Sequence, residues 1–264
     1  MLEVREPAVA GRFYPSSPRE LLAAVEGFLE AAPRRTDASP KAVIAPHAGY
    51  VYSGPIAGSA LASWVPEADQ IERVVLLGPA HHLPVRGLAL PGVDEFETPL
   101  GPVPVDAELA TQVGDLPQVG VSRAAHAPEH CLEVELPFLQ VLLGRFSILP
   151  LLVGDATPGE VAEVLERVWG GPETRIVISS DLSHYLEYSQ ARAVDERTAE
   201  EVLALQSPIS PGQACGAGAI NGLLVAALDR GLTASLLDLR SSGDTAGDRS
   251  QVVGYGAFAF VEKV

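Results

Sequence analysis

Three apolar runs, each closing on histidine, constrain this chain more than any other feature. They are Lys41-Ala-Val-Ile-Ala-Pro-His47, Arg73-Val-Val-Leu-Leu-Gly-Pro-Ala-His81-His82 and Arg175-Ile-Val-Ile-Ser-Ser-Asp181-Leu-Ser-His184. An unbroken Val/Ile/Leu run has no polar face to turn to water. It reads as a strand covered on both sides, as in a parallel sheet. Ligand crevices of open α/β sheets lie beyond the carboxyl ends of the strands. His47, His81, His82 and His184, four of the six histidines, would therefore meet at one sheet edge although they are distant in sequence. That convergence points to a metal or acid–base site.

Helical spacing predicts helices over 18–31, 55–64, 106–114, 158–168, 191–205 and 214–230, and over the later part of 129–143. Pro18 suits a first turn. Further strands are expected at 146–152, 234–240 and 252–260, with a β-rich stretch between 83 and 104. Strands alternating with helices predict a single α/β domain over 1–264, a three-layer α/β/α arrangement around a mainly parallel or mixed sheet.

Eighteen Lys and Arg stand against 34 Asp and Glu, a formal charge of −16. Such a chain repels nucleic acid and anionic membranes. No apolar run approaches the roughly 18 residues of a membrane helix. The first residues lack the basic-then-apolar order of a signal peptide, and Cys131 and Cys215 are too few for a disulfide framework. The expectation is a cytoplasmic protein with no membrane or nucleic-acid partner. No Walker loop, G-x-S-x-G or G-x-G-x-x-G occurs, so nucleotide-binding and serine-hydrolase readings lack support.

His47 and His81 share one local design, a strand followed by small residues and then His, which lets the backbone turn sharply beside a ligand. Asp181 and His184 are three residues apart. At a helix start they would share a face, with Asp181 orienting the His184 ring or capping the helix. Cys215 stands at the start of the predicted helix 214–230, where amide dipoles favour a thiolate and hence a soft metal ligand; a small buried hydrophobe is the plainer reading. His126-Ala-Pro-Glu129-His130 fits the reversed zinc pattern H-x-x-E-H. Pro128 forbids the regular helix that pattern needs, so a substrate-contacting or structural loop is expected there.

Taken together, these segments resemble the Memo family along nearly the whole chain. The resemblance rests on Arg5-Glu-Pro-Ala-Val-Ala-Gly-Arg-Phe-Tyr14-Pro15, Pro46-His47-Ala-Gly-Tyr50-Val-Tyr-Ser-Gly54, Gly78-Pro-Ala-His81, Glu129-His130-Cys-Leu-Glu133-Val-Glu-Leu-Pro137-Phe, Ser179-Ser-Asp181-Leu-Ser-His184-Tyr185, Ala214-Cys215-Gly216 and Val253-Gly-Tyr255. Prokaryotic members carry the name AmmeMemoRadiSam system protein B, after AMMECR-type and radical-SAM neighbours. The family's fold resembles that of class III extradiol dioxygenases, which are non-heme iron enzymes. The resemblance implies a metal centre from His47, His81 and Cys215, with Asp181 and His184 beside it. A thiol in place of the dioxygenases' carboxylate changes the chemistry expected at iron and favours copper or zinc, so activity does not follow from the fold. Cys131 stands where relatives often have Ser.

The leading expectation is a metal-dependent oxidoreductase. Iron or copper would sit on His47, His81 and Cys215, and His184, held by Asp181, would move protons. Alternatives are a module binding a small molecule or peptide in a crevice rimmed by Tyr14, Tyr50, Tyr52, His130 and Tyr185, an accessory to a radical-SAM or AMMECR-type partner, and a hydrolase with Cys215 as nucleophile and His184 as base.

Overall fold

The computed structural model describes residues 2–33 and 39–262. Among them the strands are β1 Val4–Arg5, β2 Ala42–Ala45, β3 Arg73–Pro79, β4 Leu88–Leu90, β5 Glu95–Thr98, β6 Gly101–Pro104, β7 Val119–Val121, β8 Ser147–Val153, β9 Thr174–Ser179, β10 His184–Leu186, β11 Thr233–Ser241 and β12 Val252–Val261. The helices are α1 Pro18–Ala31, α2 Tyr50–Leu61, α3 Ala107–Val113, α4 Arg123–His126, α5 Leu136–Leu142, α6 Pro158–Arg167, α7 Tyr188–Leu203, α8 Ala217–Asp229 and α9 Ser242–Thr245.

The apolar runs lie at the centre of the main sheet, ordered β2-β9-β3-β8 and all parallel. β12 joins β2 and β4 joins β8 in antiparallel fashion, so the sheet is mixed. Every residue of β2 and β9 is buried. Their side chains alternate between two apolar layers. Ile44, Ile176 and Ile178 face one layer with Val161 and Leu165 of α6 and Ile220 and Leu223 of α8. Val43, Ala45 and Val177 face the other with Leu21 of α1, Ile56 of α2 and Phe138 of α5. Helices on both faces explain why no strand residue here is polar outward. α6 and α8 touch because Gly222 has no side chain: a Cβ there would lie 2.2 Å from Val161 Cγ1.

Three helices begin three or more residues from where their spacing predicts, with α7 starting at Tyr188 rather than 191. α2 starts at Tyr50, five residues before Pro55, and the chain after Leu61 tightens into a 3₁₀ segment over Ala62–Gln70. A proline inside a helix costs about 3 kcal/mol. Here the first turn is held by tertiary contacts instead: Tyr50 is buried, its hydroxyl donates to Val134 O at 2.7 Å, and its ring packs on Phe138. Helix α8 starts at Ala217, three residues later than expected. No described helix is long and apolar enough to cross a membrane.

The N-terminal arm is fastened to the centre of the molecule by a buried charge pair. Glu133, fully buried, accepts Arg5 Nη1 at 2.8 Å, the N–H groups of Ala8 and Val9, and the Tyr14 hydroxyl at 2.6 Å. Arg5 also donates to the carbonyls of His126 and Glu129. Four bonds to one carboxylate satisfy its lone pairs, which a buried charge requires.

Candidate metal centre

β2, β3 and β9 run parallel, with Ala45 beside Ser179 and Leu77 beside Ile178. Their carboxyl ends therefore deliver His47, His81 and Asp181 to one edge. They open on a cavity of about 940 Å³ that His82, His130, His184 and Cys215 also line.

Two histidines, His47 and His81, have a hydrogen-bonded Nδ1, and the His130 ring lies beside the carboxylate that holds His81. His47 Nδ1 lies 2.9 Å from Ser179 Oγ. Ser179 Oγ also donates to Cys131 O at 2.7 Å, so it takes the His47 proton as acceptor. His81 Nδ1 lies 2.9 Å and His130 Nδ1 3.2 Å from the same oxygen, Glu129 Oε1. Glu129 further accepts the backbone N–H groups of His81, His130 and Cys131. Burial opposes its charge, but the His81 ring and these N–H groups outweigh burial and hold the carboxyl well below its usual range. An ionised carboxylate only accepts. The network thus assigns Nδ1–H to the His47 and His81 rings and leaves their Nε2 atoms as lone-pair donors, the arrangement that orients metal-binding histidines.

Burial, reinforced by neighbouring imidazoles, pushes His47 and His130 each down to about 3, so both are neutral near pH 7. The rings of His81 and His130 stack with centroids 4.9 Å apart, and His47 stands edge-on to both. One ligand atom from each of His47, His81 and His130 falls within 4.8 Å of the others.

Cys215 approaches from the opposite flank, with Sγ 3.3 Å from His47 Nε2. Among the described residues, no group of three ligand atoms within 4.8 Å includes it. Gly216 permits the approach, since a Cβ there would sit 2.6 Å from Ser180 Cβ. The expected helix-dipole activation is absent: α8 begins two residues beyond the thiol, and burial, then the Asp181 charge, push Cys215 up to about 12.

Asp181 and His184 do not open a helix; His184 begins β10. Asp181 Oδ1 accepts the His47 backbone N–H at 2.8 Å, and burial lifts the carboxyl to about 6. His184 Nδ1 lies 2.8 Å from Leu182 O, so a backbone carbonyl rather than Asp181 sets its tautomer. Tyr52 and Tyr185 line the cavity, whereas Tyr14 and Tyr50 are buried behind it with their hydroxyls given to Glu133 and Val134. Tyr185 holds a left-handed backbone, φ 59°, and is 71% exposed. His126 ends α4 with Nε2 2.8 Å from Ala89 O and takes no part in the cluster.

Sequence reasoning places His130 on a substrate loop and does not reach Glu129 or Ser179 as orienting groups. The one local signal is the Glu129-His130 pair inside the rejected H-x-x-E-H pattern.

Similarity to known proteins extends across this whole framework. A family model for Memo-like proteins matches residues 5–259. A MEMO1 family protein of Archaeoglobus fulgidus is 38% identical over 275 residues, covering 97% of this chain and 99% of that one. Another, from Aquifex aeolicus, is 37% identical over 273 residues, covering 98% and 100%. Every residue that lines the cavity, from Arg12 to Tyr255, lies inside the matched span, and the chain belongs to the Memo family.

Proposed function

We propose that the cluster holds one transition-metal ion, iron or copper, on Nε2 of His47, His81 and His130, with Cys215 as a fourth donor, and that the protein performs redox chemistry on a small molecule in the adjoining cavity. The observation that carries this reading is the gathering of one ligand atom from each of His47, His81 and His130 within 4.8 Å, with the His47 and His81 rings oriented by Ser179 and Glu129. Imidazoles joined by one thiolate suit iron and copper better than magnesium or calcium. Binding of the ion by Cys215 would release the thiol proton to solvent or a neighbouring base. Bound iron or copper would supply one-electron chemistry.

The chain's own residues do the rest. Glu129 and Ser179 keep the imidazoles aimed. Asp181 holds the His47 backbone in place through its N–H. His184, lining the cavity with Nδ1 committed to Leu182 O, has Nε2 for proton transfer to or from a substrate. Tyr52 and Tyr185 give the cavity mouth an apolar rim for an organic substrate.

The test is metal content by mass spectrometry on anaerobically purified wild type, His81→Ala and Cys215→Ala. Near-stoichiometric iron or copper in wild type, lost in His81→Ala and retained in Cys215→Ala with its thiolate charge-transfer absorption gone, supports the reading. Absence of metal from reconstituted wild type overturns it and leaves the cavity as a binding module.

A further inference from the structure

Tyr14, Tyr50 and Tyr255 are the buried tyrosines, and they differ in where the hydroxyl goes. Tyr14 donates to Glu133 at 2.6 Å and Tyr50 to Val134 O at 2.7 Å. Tyr255 is 1% exposed, and its hydroxyl has no hydrogen-bond partner among the described residues. A buried phenol normally finds an acceptor, and leaving it without one is costly. Tyr255 borders the metal cavity, and the groups whose charge reaches its hydroxyl, Asp181, Tyr52 and Tyr185, are cavity residues too. The hydroxyl is thus turned to the open space and not into the core.

The strand holds it there. β12 is bonded to the segment that carries Asp181 and His184: Leu182 N–H donates to Gly254 O and Gly254 N–H to Ser183 O, each at 2.8 Å, and His184 stands opposite Val253. Gly254 and Gly256 allow this close seat. A Cβ would collide with the Asp195 carboxylate at the first and with the Phe258 and Leu182 side chains at the second.

We infer that Tyr255 is a substrate-contacting residue, whose O–H donates to a carbonyl or carboxylate oxygen of an organic molecule bound in the cavity. The inference deepens the proposed function and rests on that reading for the reaction, though not for the contact. Burial, then the Asp181 charge, push the phenol well above its usual range, so it stays a donor near neutral pH. Its neighbours on the wall, Tyr52, Tyr185 and Val253, are aromatic or apolar, which suits a molecule with an apolar body and the oxygen at one end. A fixed donor in a site removed from water holds an oxygen more tightly as negative charge builds on it. That favours a reaction in which His184 removes a proton from the same molecule.

The experiment titrates acetophenone with an isotope-labelled carbonyl into metal-free wild type and Tyr255→Phe and reads the infrared carbonyl band. The probe has an apolar ring, a single acceptor oxygen and no donor. Wild type should bind it with the band shifted to lower frequency than in an apolar solvent. Tyr255→Phe should lose that shift and bind roughly tenfold more weakly. Because the hydroxyl has no protein partner, Tyr255→Phe should unfold in urea no earlier than wild type, unlike Tyr50→Phe, which removes a bond already made. No binding by wild type, an unshifted band in wild type, or an equal shift in the variant overturns the inference, as does a variant that unfolds earlier. Metal content, measured separately, decides the other reading: a wild type that takes up no metal but passes the acetophenone test leaves Tyr255 as the ligand contact of a binding module.

Discussion

His47 stands between two flanks built on different plans. On one side His81 and His130 hang from a single carboxylate that also gathers three backbone N–H groups. On the other, Cys215 Sγ has only long contacts, to His47 Nε2 at 3.3 Å, Asp181 O at 3.6 Å and Ser180 Oγ at 3.9 Å, and the His184 ring has one, to Leu182 O. A side chain fixed by several converging bonds has one orientation; a side chain on one bond can move. The first flank is suited to holding an ion, and the second to chemistry that exchanges protons or electrons.

The comparison breaks most visibly at Glu129. Glu129→Gln removes the carboxylate charge beside both rings and sets an amide that donates against a backbone N–H, that of His81 or those of His130 and Cys131. Metal affinity should fall by roughly 100-fold, read by competition with a chelator. Wild-type affinity in this variant would mean that the two flanks do not differ in the way argued. Ser179→Ala frees only the His47 ring, and a loss of about tenfold is expected in the same titration.

Behind Ser179 lies Glu135, fully buried, with Oε1 3.0 Å from Ser179 Oγ and Oε2 without a partner among the described residues. Burial raises its carboxyl from 4.5 to about 8. The folded state therefore keeps the proton where the unfolded chain loses it. The resulting penalty is absent below about pH 4.5, grows through the window up to about 8 and is constant above it. In metal-free protein, Glu135→Gln should gain on wild type by about 2–4 kcal/mol between pH 5 and 8, measured by urea unfolding at each pH. Parallel profiles would show that Glu135 is ionised throughout. The smallest effect is expected on the loose flank: Cys215→Ser should change metal affinity by less than about threefold while shifting the spectrum of the bound ion.

The sheet was legible in the sequence because burial on both faces leaves a local trace, an unbroken apolar run such as Val74–Leu77. The convergence of His47 and His81 followed from strand direction alone. The orienting groups left no such trace: Ser179 meets His47 across 132 residues and Glu129 meets His81 across 48. Spacing puts Cys215 at a helix start because small residues, Ala214 before it and Gly216-Ala-Gly-Ala219 after it, run through the boundary without marking it. The turn after Asp181 was mistaken for a helix start because Tyr185 adopts a left-handed backbone that its residue type does not announce.

The Arg5–Glu133 clasp has a consequence for how the chain is made. Residues 5–14 leave the ribosome long before residue 133 exists, and until then Arg5, Tyr14 and the Ala8 and Val9 amides have no partner for these bonds. The same clasp seats the Phe13 ring 4.8 Å from His130. The 5–14 segment is thus fixed only after residue 133 has been made, and a nascent chain that stops short of residue 133 cannot assemble the His81–Glu129–His130 flank in its finished form.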